Sequence, residues 1–207
     1  MKANRFARLL VPPACAACHS PCEPGRSVCA ACVRELDLSG PIHDPALPGI
    51  EAICSVAAHS GVGRTILAAY KFNGLFGLAP FIASRMSEVA PTTGESGCVV
   101  PVPAAGLRRR LRGFDTAEDL ARRLSGWTGW PIQTGSLVRV GQGRQRGRGR
   151  STRLADPPVI KTRKEHDGLI LLVDDVVTTG ATLVTCARTL RASGASRVLA
   201  VTFTRRV

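Results

Sequence analysis

The sequence predicts an α/β fold, a Rossmann-like parallel sheet with crossover helices, preceded by a small cysteine-rich module. Two observations lead to this prediction. Short apolar runs that are typical of buried strands alternate with segments that carry apolar residues at helical spacing. Near the amino end, two C-x-x-C pairs follow each other closely. A chain of 207 residues has room for one ordinary domain and one small appendage.

We expect three parts along the chain. Residues 1–37 hold the amino-terminal segment and the cysteine-rich module, the proline-rich residues 38–50 are typical of a linker, and residues 51–207 form the α/β domain. Pro12 and Pro13 interrupt the start of the chain before the core of a signal peptide develops. No run approaches the ~18 apolar residues that span a membrane. We therefore expect a cytoplasmic protein without membrane insertion.

The cysteine-rich module predicts a structural metal site. Its two knuckles lie ten residues apart, and their cysteines are Cys15, Cys18, Cys29 and Cys32. Each knuckle can aim two thiolates at one point, and two knuckles complete a tetrahedral shell that suits Zn²⁺ and leaves no open position for catalysis. Cys22 and His19 lie between the knuckles, and either could replace a ligand. The alternative is a set of buried or redox-active cysteines without metal.

The first half of the α/β domain predicts a strand, two helices and a second strand. The segment EAICSVAAH, residues 51–59, resembles a strand. Residues 61–86 carry apolar residues at helical spacing and are divided into two helices by Gly74 and Gly77. CVVPVP, residues 98–103, is a short buried strand that ends at Pro103.

The second half predicts two more helices and two more strands. FDTAEDLARRLSG, residues 114–126, has one apolar helical stripe, and Asp115 or Thr116 would cap its start. Residues 138–154 alternate arginine with glycine. Their apolar residues follow neither the helical nor the strand period, which predicts a mobile cationic loop. The segment at 168–183 supplies a strand and a turn, residues 183–194 form a helix that ends at Gly194, and RVLAVTF, from residue 197, is the last strand.

The charge of the chain is strongly positive and unevenly spread. The formal net charge is +13, and residues 105–164 hold 15 lysines and arginines against 4 aspartates and glutamates. A basic block of this kind attracts phosphate, either on a small ligand or along a nucleic acid. The alternative is a solvated loop that only aids solubility.

The segment GLILLVDDVVTTGATL, residues 168–183, is the strongest candidate for a binding site. The buried strand 169–173 ends at two adjacent acids, Asp174 and Asp175, and a turn over residues 178–182 leads into a helix. In parallel α/β sheets, ligands bind where the strands end. Gly180 lets main-chain amides approach an anion, and the helix adds its positive end. The acids would accept hydrogen bonds from the 2- and 3-hydroxyls of a ribose whose 5-phosphate the turn holds.

This segment resembles the phosphoribosyl pyrophosphate (PRPP) motif of type I phosphoribosyltransferases. The residues that match the motif, and that the resemblance implies bind PRPP, are Asp174, Asp175, Thr178, Thr179, Gly180, Ala181 and Thr182.

Further segments make the chain similar to the ComF family from end to end. Besides the four-cysteine module, these segments are YKFNG with Lys71, PVPAAGLRRRLRGFDTA from Pro101, and Gln145 followed by Arg153 and Asp156. The chain departs from the family pattern at three positions, which are Asp115 for asparagine, Thr116 for glutamine and Asp156 for asparagine. These changes remove donors that would face an anion, so they put the affinity for diphosphate in doubt.

The resemblance implies a type I phosphoribosyltransferase fold and a PRPP-dependent transferase with an unknown acceptor. Mg²⁺ would bridge the diphosphate and the ribose hydroxyls, and no residue is assigned as a nucleophile. The residues implied to hold the diphosphate or to close over it are Lys71, Ala104, Ala105, Arg108, Arg109, Arg110, Arg112 and Arg153. Transfer of this kind proceeds through an oxocarbenium-like state, so positioning and charge stabilisation dominate.

Two other functions stay open. The resemblance to ComF proteins implies a role in DNA uptake during natural transformation. The chain could therefore be a non-enzymatic module that binds single-stranded DNA and acts with a helicase. The candidate residues for that contact are Arg144, Arg146, Arg148 and Arg150. The scarcity of aromatic residues argues against extensive base stacking. A regulator that senses PRPP without transferring it is the third hypothesis.

Overall fold

The computed structural model describes residues 13–91, 93–104, 113–140 and 158–207, which form seven strands and five α-helices. The strands are β1 Ile42–Asp44, β2 Ala52–Ala58, β3 Gly97–Pro101, β4 Leu137–Arg139, β5 Ile160–Thr162, β6 Leu169–Val177 and β7 Arg197–Arg205. The α-helices are α1 Ala30–Ser39, α2 Gly61–Phe72, α3 Ala79–Val89, α4 Thr116–Thr128 and α5 Ala181–Ala192. A short 3₁₀ helix, Phe76–Leu78, joins α2 to α3.

The main sheet has five strands in the order β1-β2-β7-β6-β3. Strands β2, β7, β6 and β3 are parallel, and β1 pairs with β2 in the antiparallel direction. Strands β4 and β5 form a separate antiparallel pair. The predicted α/β fold with a parallel sheet is confirmed, and the antiparallel edge strand is an addition to it.

Helices cover both faces of this sheet, which explains the continuous apolar run at the start of β6. Leu169, Leu171 and Val173 face a core that contains side chains of α2, α3 and α4, whereas Ile170 and Leu172 face a core that contains side chains of α5. A strand that is buried on both faces has no polar side to alternate with.

The cysteine-rich module packs against the α/β domain and shares its core. Cys15, Val28 and Leu36 are buried in the same cluster as Tyr70 of α2 and Leu78. Polar contacts add to this junction. They are the ion pair between Asp37 and Arg85 and the hydrogen bond that Ser27 Oγ donates to the Gly77 carbonyl at 3.4 Å. The module therefore lies against the helices that form one wall of the domain.

Three features differ from the expected elements. Strand β6 does not end at Val173 but continues to Val177, because it still pairs with β7 as far as Val177 opposite Arg205. The proline-rich residues 38–50 contribute the edge strand β1. Strands β4 and β5, three residues each, were not expected. Most of the arginine–glycine stretch, residues 141–154, lies outside the described residues.

Within the described parts of the chain, every helix is too short or too polar to cross a membrane.

Candidate phosphate-binding site

The two adjacent acids of β6 point to opposite faces of the sheet, because side chains alternate along a strand. Asp174 lines a pocket together with the loop that follows β6 and the start of α5. Asp175 instead contacts Lys71 of α2 and Thr116 of α4. The continuation of β6 beyond Val173 therefore gives the two carboxyl groups different surroundings.

The loop after β6 opens toward solvent at the first turn of α5. We call residues 178–182 the threonine loop. Gly180 has a φ of 74°, in the left-handed region, and α5 begins at the next residue without a side-chain cap. The first backbone N–H groups of a helix have no partner within the helix, and the helix dipole makes this end positive. Ala181 N–H, at 3.4 Å, donates to Thr179 Oγ1. The other backbone N–H groups at the start of α5 can bind an anion.

The pocket at the threonine loop is small. Its volume is about 40 Å³, the space of roughly three water molecules. It is lined by the predicted PRPP-binding residues except one, and the lining members of that set are Asp174, Thr178, Thr179, Gly180, Ala181 and Thr182. Asp175 is the exception. A pocket of this size can hold a single compact group such as a phosphate, and the rest of any ligand would lie outside it.

Asp174 has an unusual acidity. Burial raises the pKa of its carboxyl group to about 8, and the charge of Asp175 acts in the same direction. One opposing contact is the Asp175 N–H, which donates to Asp174 Oδ1 at 2.8 Å. The carboxyl group of Asp174 is therefore mainly protonated at pH 7, so the acid beside the threonine loop does not repel an anion.

Asp175 forms a buried ion pair. Lys71 Nζ lies 2.5 Å from Asp175 Oδ1, and Thr116 Oγ1 donates to the other carboxylate oxygen. The side chains of Lys71 and Asp175 are only 11% and 7% exposed. The resemblance implies that Lys71 contacts the diphosphate. In the structure its ammonium group contacts the carboxylate of Asp175.

Asp115 has a structural role that explains one departure from the family pattern. Its Oδ1 caps α4 by accepting from the N–H groups of Ala117, at 3.1 Å, and Glu118, at 3.3 Å. Its Oδ2 accepts from Ala104 N–H at 3.4 Å, so the backbone amide of one residue from the implied diphosphate set is already occupied. Of the two caps that the sequence allows, Asp115 is the one that forms.

Sequence reasoning missed Tyr70 and Asp119. Tyr70 is fully buried, and its hydroxyl donates to Asp119 Oδ2 at 2.6 Å. Burial, followed by this hydrogen bond, raises the pKa of Tyr70. Nothing in the sequence indicated that Tyr70 has a partner 49 residues away.

His59 was also missed, although the sequence carried a signal for it. It directly follows β2, at the edge of the sheet where ligands bind in this class of fold. Its Nδ1 lies 2.9 Å from Thr204 Oγ1. Burial lowers the pKa of His59, and the positive charge of Lys71 lowers it further. We therefore expect a neutral imidazole at pH 7.

Ten of the twelve residues implied at the diphosphate or at nucleic acid lie outside the described residues. They are Ala105, Arg108, Arg109, Arg110, Arg112, Arg144, Arg146, Arg148, Arg150 and Arg153.

The four knuckle cysteines converge as expected. The Sγ atoms of Cys15, Cys18, Cys29 and Cys32 all lie within 4.8 Å of one another. The backbone N–H groups of Ala17 and Cys29 donate to Cys15 Sγ at 3.4 and 3.3 Å, which favours a thiolate. Four converging sulfur ligands fit a metal such as Zn²⁺. Neither Cys22 nor His19 belongs to this cluster.

Comparison with known proteins gives one sequence relative. No family model matches the chain. The competence protein ComFC of Bacillus subtilis (strain 168) is 30% identical over 146 residues, which are 68% of this chain and 58% of ComFC. The matched region thus spans less than two thirds of that relative.

The similar solved structures include phosphoribosyltransferases. One is the purine phosphoribosyltransferase from Pyrococcus horikoshii Ot3, with 19% identity, a TM-score of 0.35, and coverage of 62% of this chain and 80% of that one. Another is the adenine phosphoribosyltransferase from Leishmania tarentolae, with 16% identity, a TM-score of 0.35, and coverage of 86% and 73%. The α/β fold is shown by the strand order of the main sheet and by the helices on both of its faces.

The raised pKa of Asp174 predicts a pH-dependent effect of Asp174→Asn on stability. Between pH 4 and 8 the folded protein keeps a proton that the unfolded chain has lost, so the wild type loses stability as pH rises. Asparagine removes this loss. We expect Asp174→Asn to increase the free energy of unfolding by about 1–3 kcal/mol at pH 8, less than the full shift implies because the carboxyl is partly exposed, and by almost nothing below pH 4.

Urea unfolding across this pH range measures the difference. Asp167→Asn is the matched control, since Asp167 is an exposed aspartate just before β6. A gain for Asp174→Asn that stays constant with pH would contradict the assignment.

The cysteine cluster predicts one bound zinc ion per chain. We expect elemental analysis to find about one equivalent of zinc, and Cys18→Ser to lower that content and the thermal stability. Cys22→Ser is the matched control, because Cys22 lies outside the cluster. Equal loss of zinc in both variants would mean that the ligand set is different.

Proposed function

We propose that this ComF-like protein binds PRPP or a related ribose 5-phosphate ligand with Mg²⁺, and transfers the phosphoribosyl group to an acceptor. The observation that carries the proposal is the shared pocket of Asp174 and the uncapped start of α5. A phosphorylated pentose needs both, because its phosphate requires N–H donors and its hydroxyls require a hydrogen-bonding oxygen.

The protonation of Asp174 suits a doubly anionic ligand. An ionised acid beside the threonine loop would repel the 5-phosphate, whereas a protonated acid can donate one hydrogen bond and accept others. In this arrangement the threonine loop holds the 5-phosphate and Asp174 orients the ribose hydroxyls. The chain's own contribution is thus to position the sugar with its C1 atom toward the open edge of the sheet.

Asp175 and Lys71 support this site from the opposite face. Their ion pair connects β6 to α2, and Thr116 connects the same carboxylate to α4. We assign Asp175 as a positioning residue that fixes the end of β6. The charge of Lys71 is balanced by Asp175, so Lys71 acts in this site as the partner that holds Asp175 in place.

Mg²⁺ fits the donor set only with help from the ligand. Asp174 is the one acidic side chain among the described residues that line the pocket, and it would have to lose its proton to bind the ion. Magnesium commonly binds one or two protein carboxylates and completes its shell with water and substrate phosphates. When bound, the ion would neutralise charge on the departing diphosphate.

A role in DNA uptake follows by analogy with the competence protein ComFC. We extend this role to the present chain as part of the proposal.

A second function, binding of single-stranded DNA, is favoured by the charge distribution. Residues 105–164 hold 15 lysines and arginines and only 4 aspartates and glutamates. A block of this charge attracts a nucleic acid backbone without reading its sequence.

Calorimetric titration with PRPP and Mg²⁺ tests the first function. We expect Asp174→Ala to weaken PRPP binding by roughly 10- to 100-fold, the loss expected for hydrogen bonds to a charged ligand. Asp167→Ala should bind PRPP like the wild type, because Asp167 lies before the start of β6, at the other end of that strand. Equal PRPP affinity of Asp174→Ala and the wild type would mean that the pocket at Asp174 does not bind PRPP.

Salt titration of oligonucleotide binding tests the second function. We expect replacement of Arg144, Arg146, Arg148 and Arg150 by alanine to weaken binding of single strands and to reduce the slope of log K against log salt by up to about 3. Asp174→Ala should leave this binding unchanged. An unaltered slope in the quadruple variant would exclude these arginines from the DNA contact.

A further inference from the structure

The threonine loop is contacted from outside its pocket by the connection between β1 and β2. We call residues 44–50 the strap. Within it, Leu47 packs against the buried cluster that α5 shares with β6. A Cβ atom built on Gly180 would lie 2.6 Å from Leu47 Cδ1. Leu47 is not among the described residues that line the pocket. It therefore contacts the threonine loop at Gly180 without entering the pocket.

The strap is held in place at both of its ends. At its start, Asp44 Oδ1 lies 2.9 Å from Arg205 Nε. Arg205 is the register partner of Val177, the residue that precedes the threonine loop. At the other end, Ile50 is fully buried, and its N–H donates to the Leu47 carbonyl at 2.8 Å. Leu47 therefore belongs to a segment with a fixed position beside the loop.

The backbone conformation of Gly180 makes this support important. Its φ of 74° lies in the left-handed region, which glycine enters and leaves easily because it has no Cβ atom. Gly180 also precedes the first residue of α5, so its conformation sets the direction of the free N–H groups there. If the loop changed shape, these donors would no longer converge on one anion. An apolar contact that resists the change lowers the cost of ordering the loop around a ligand.

We infer that Leu47 is a positioning residue for the 5-phosphate. Its side chain acts through Gly180 and holds the threonine loop in the shape whose N–H groups bind the phosphate. It makes no contact with the ligand itself. This inference rests on the proposed function, because it assigns to that site a residue that keeps it pre-organised. The proline-rich residues 38–50 thus contribute to the phosphate site as well as to the edge of the sheet.

Calorimetric titration of the full chain with ribose 5-phosphate, and with PRPP and Mg²⁺, tests this role. We expect Leu47→Ala to weaken the binding of both ligands roughly tenfold, because part of the pre-organisation of the loop is lost. Leu47→Met keeps a side chain of similar volume, so its affinity for both ligands should stay within about twofold of the wild type.

Ile50→Val is the matched control. Ile50 lies in the same strap as Leu47 and belongs to the buried cluster against which Leu47 packs. We expect Ile50→Val to lower the free energy of unfolding, measured with urea, and to leave the affinity for both ligands as in the wild type. This comparison separates a loss of stability from a loss of phosphate positioning.

A double-mutant cycle with Gly180→Ala tests whether Leu47 acts through Gly180. The alanine side chain meets two obstacles there, which are the left-handed φ and the collision with Leu47 Cδ1. Only the first obstacle remains when Leu47→Ala is added. We expect the double variant to bind ribose 5-phosphate at least about fivefold more tightly than the product of the two single losses predicts.

The outcomes separate this inference from the proposed function. The role of Leu47 is wrong, and the proposed function stands, if the wild type binds PRPP and Leu47→Ala binds it equally well. The same conclusion follows if Ile50→Val weakens binding as much as Leu47→Ala does, or if the two losses of the cycle are independent. If the wild type binds neither PRPP nor ribose 5-phosphate, the proposed function falls, and the role of Leu47 falls with it.

Discussion

The buried contact of Lys71, Asp175 and Thr116 determines how the site is built. It joins β6 to α2 and α4, two helices that are far apart in the sequence. Both charged side chains are almost completely removed from water. Loss of one partner from a buried pair leaves an uncompensated charge, at a cost of about 3–5 kcal/mol. Because Tyr70 is the chain neighbour of Lys71, the same contact also fixes the helix whose Tyr70 bonds to Asp119 of α4.

The alternation of side chains along β6 gives the two acids separate tasks. Had the strand ended at Val173, a loop could have turned both carboxyl groups toward one ligand. Since the pairing with β7 continues to Val177, Asp174 faces the threonine loop and Asp175 faces the helices. One acid becomes protonated beside the threonine loop, and the other stays paired with a lysine. Their different surroundings follow from a period of two residues.

Local patterns in the sequence were sufficient for the α/β fold, the four main parallel strands, the helices of the domain and the cysteine cluster. Each of these has a strong short-range signal, such as the apolar run before Asp174 or the spacing of Cys15 and Cys18. What could not be predicted depends on distant partners. Lys71 lies 104 residues from Asp175, and three-residue strands such as β1 have too little sequence to show a period.

The position of the cysteine-rich module links the metal to the rest of the molecule. Leu36 and Val28 of the module belong to the same apolar cluster as Tyr70, and the next residue along the chain, Lys71, is paired with Asp175. Loss of the metal would therefore affect more than the cysteine-rich module itself. It would expose one side of the helix that carries Tyr70 and Lys71, so loss of the metal would loosen the ion pair at the end of β6.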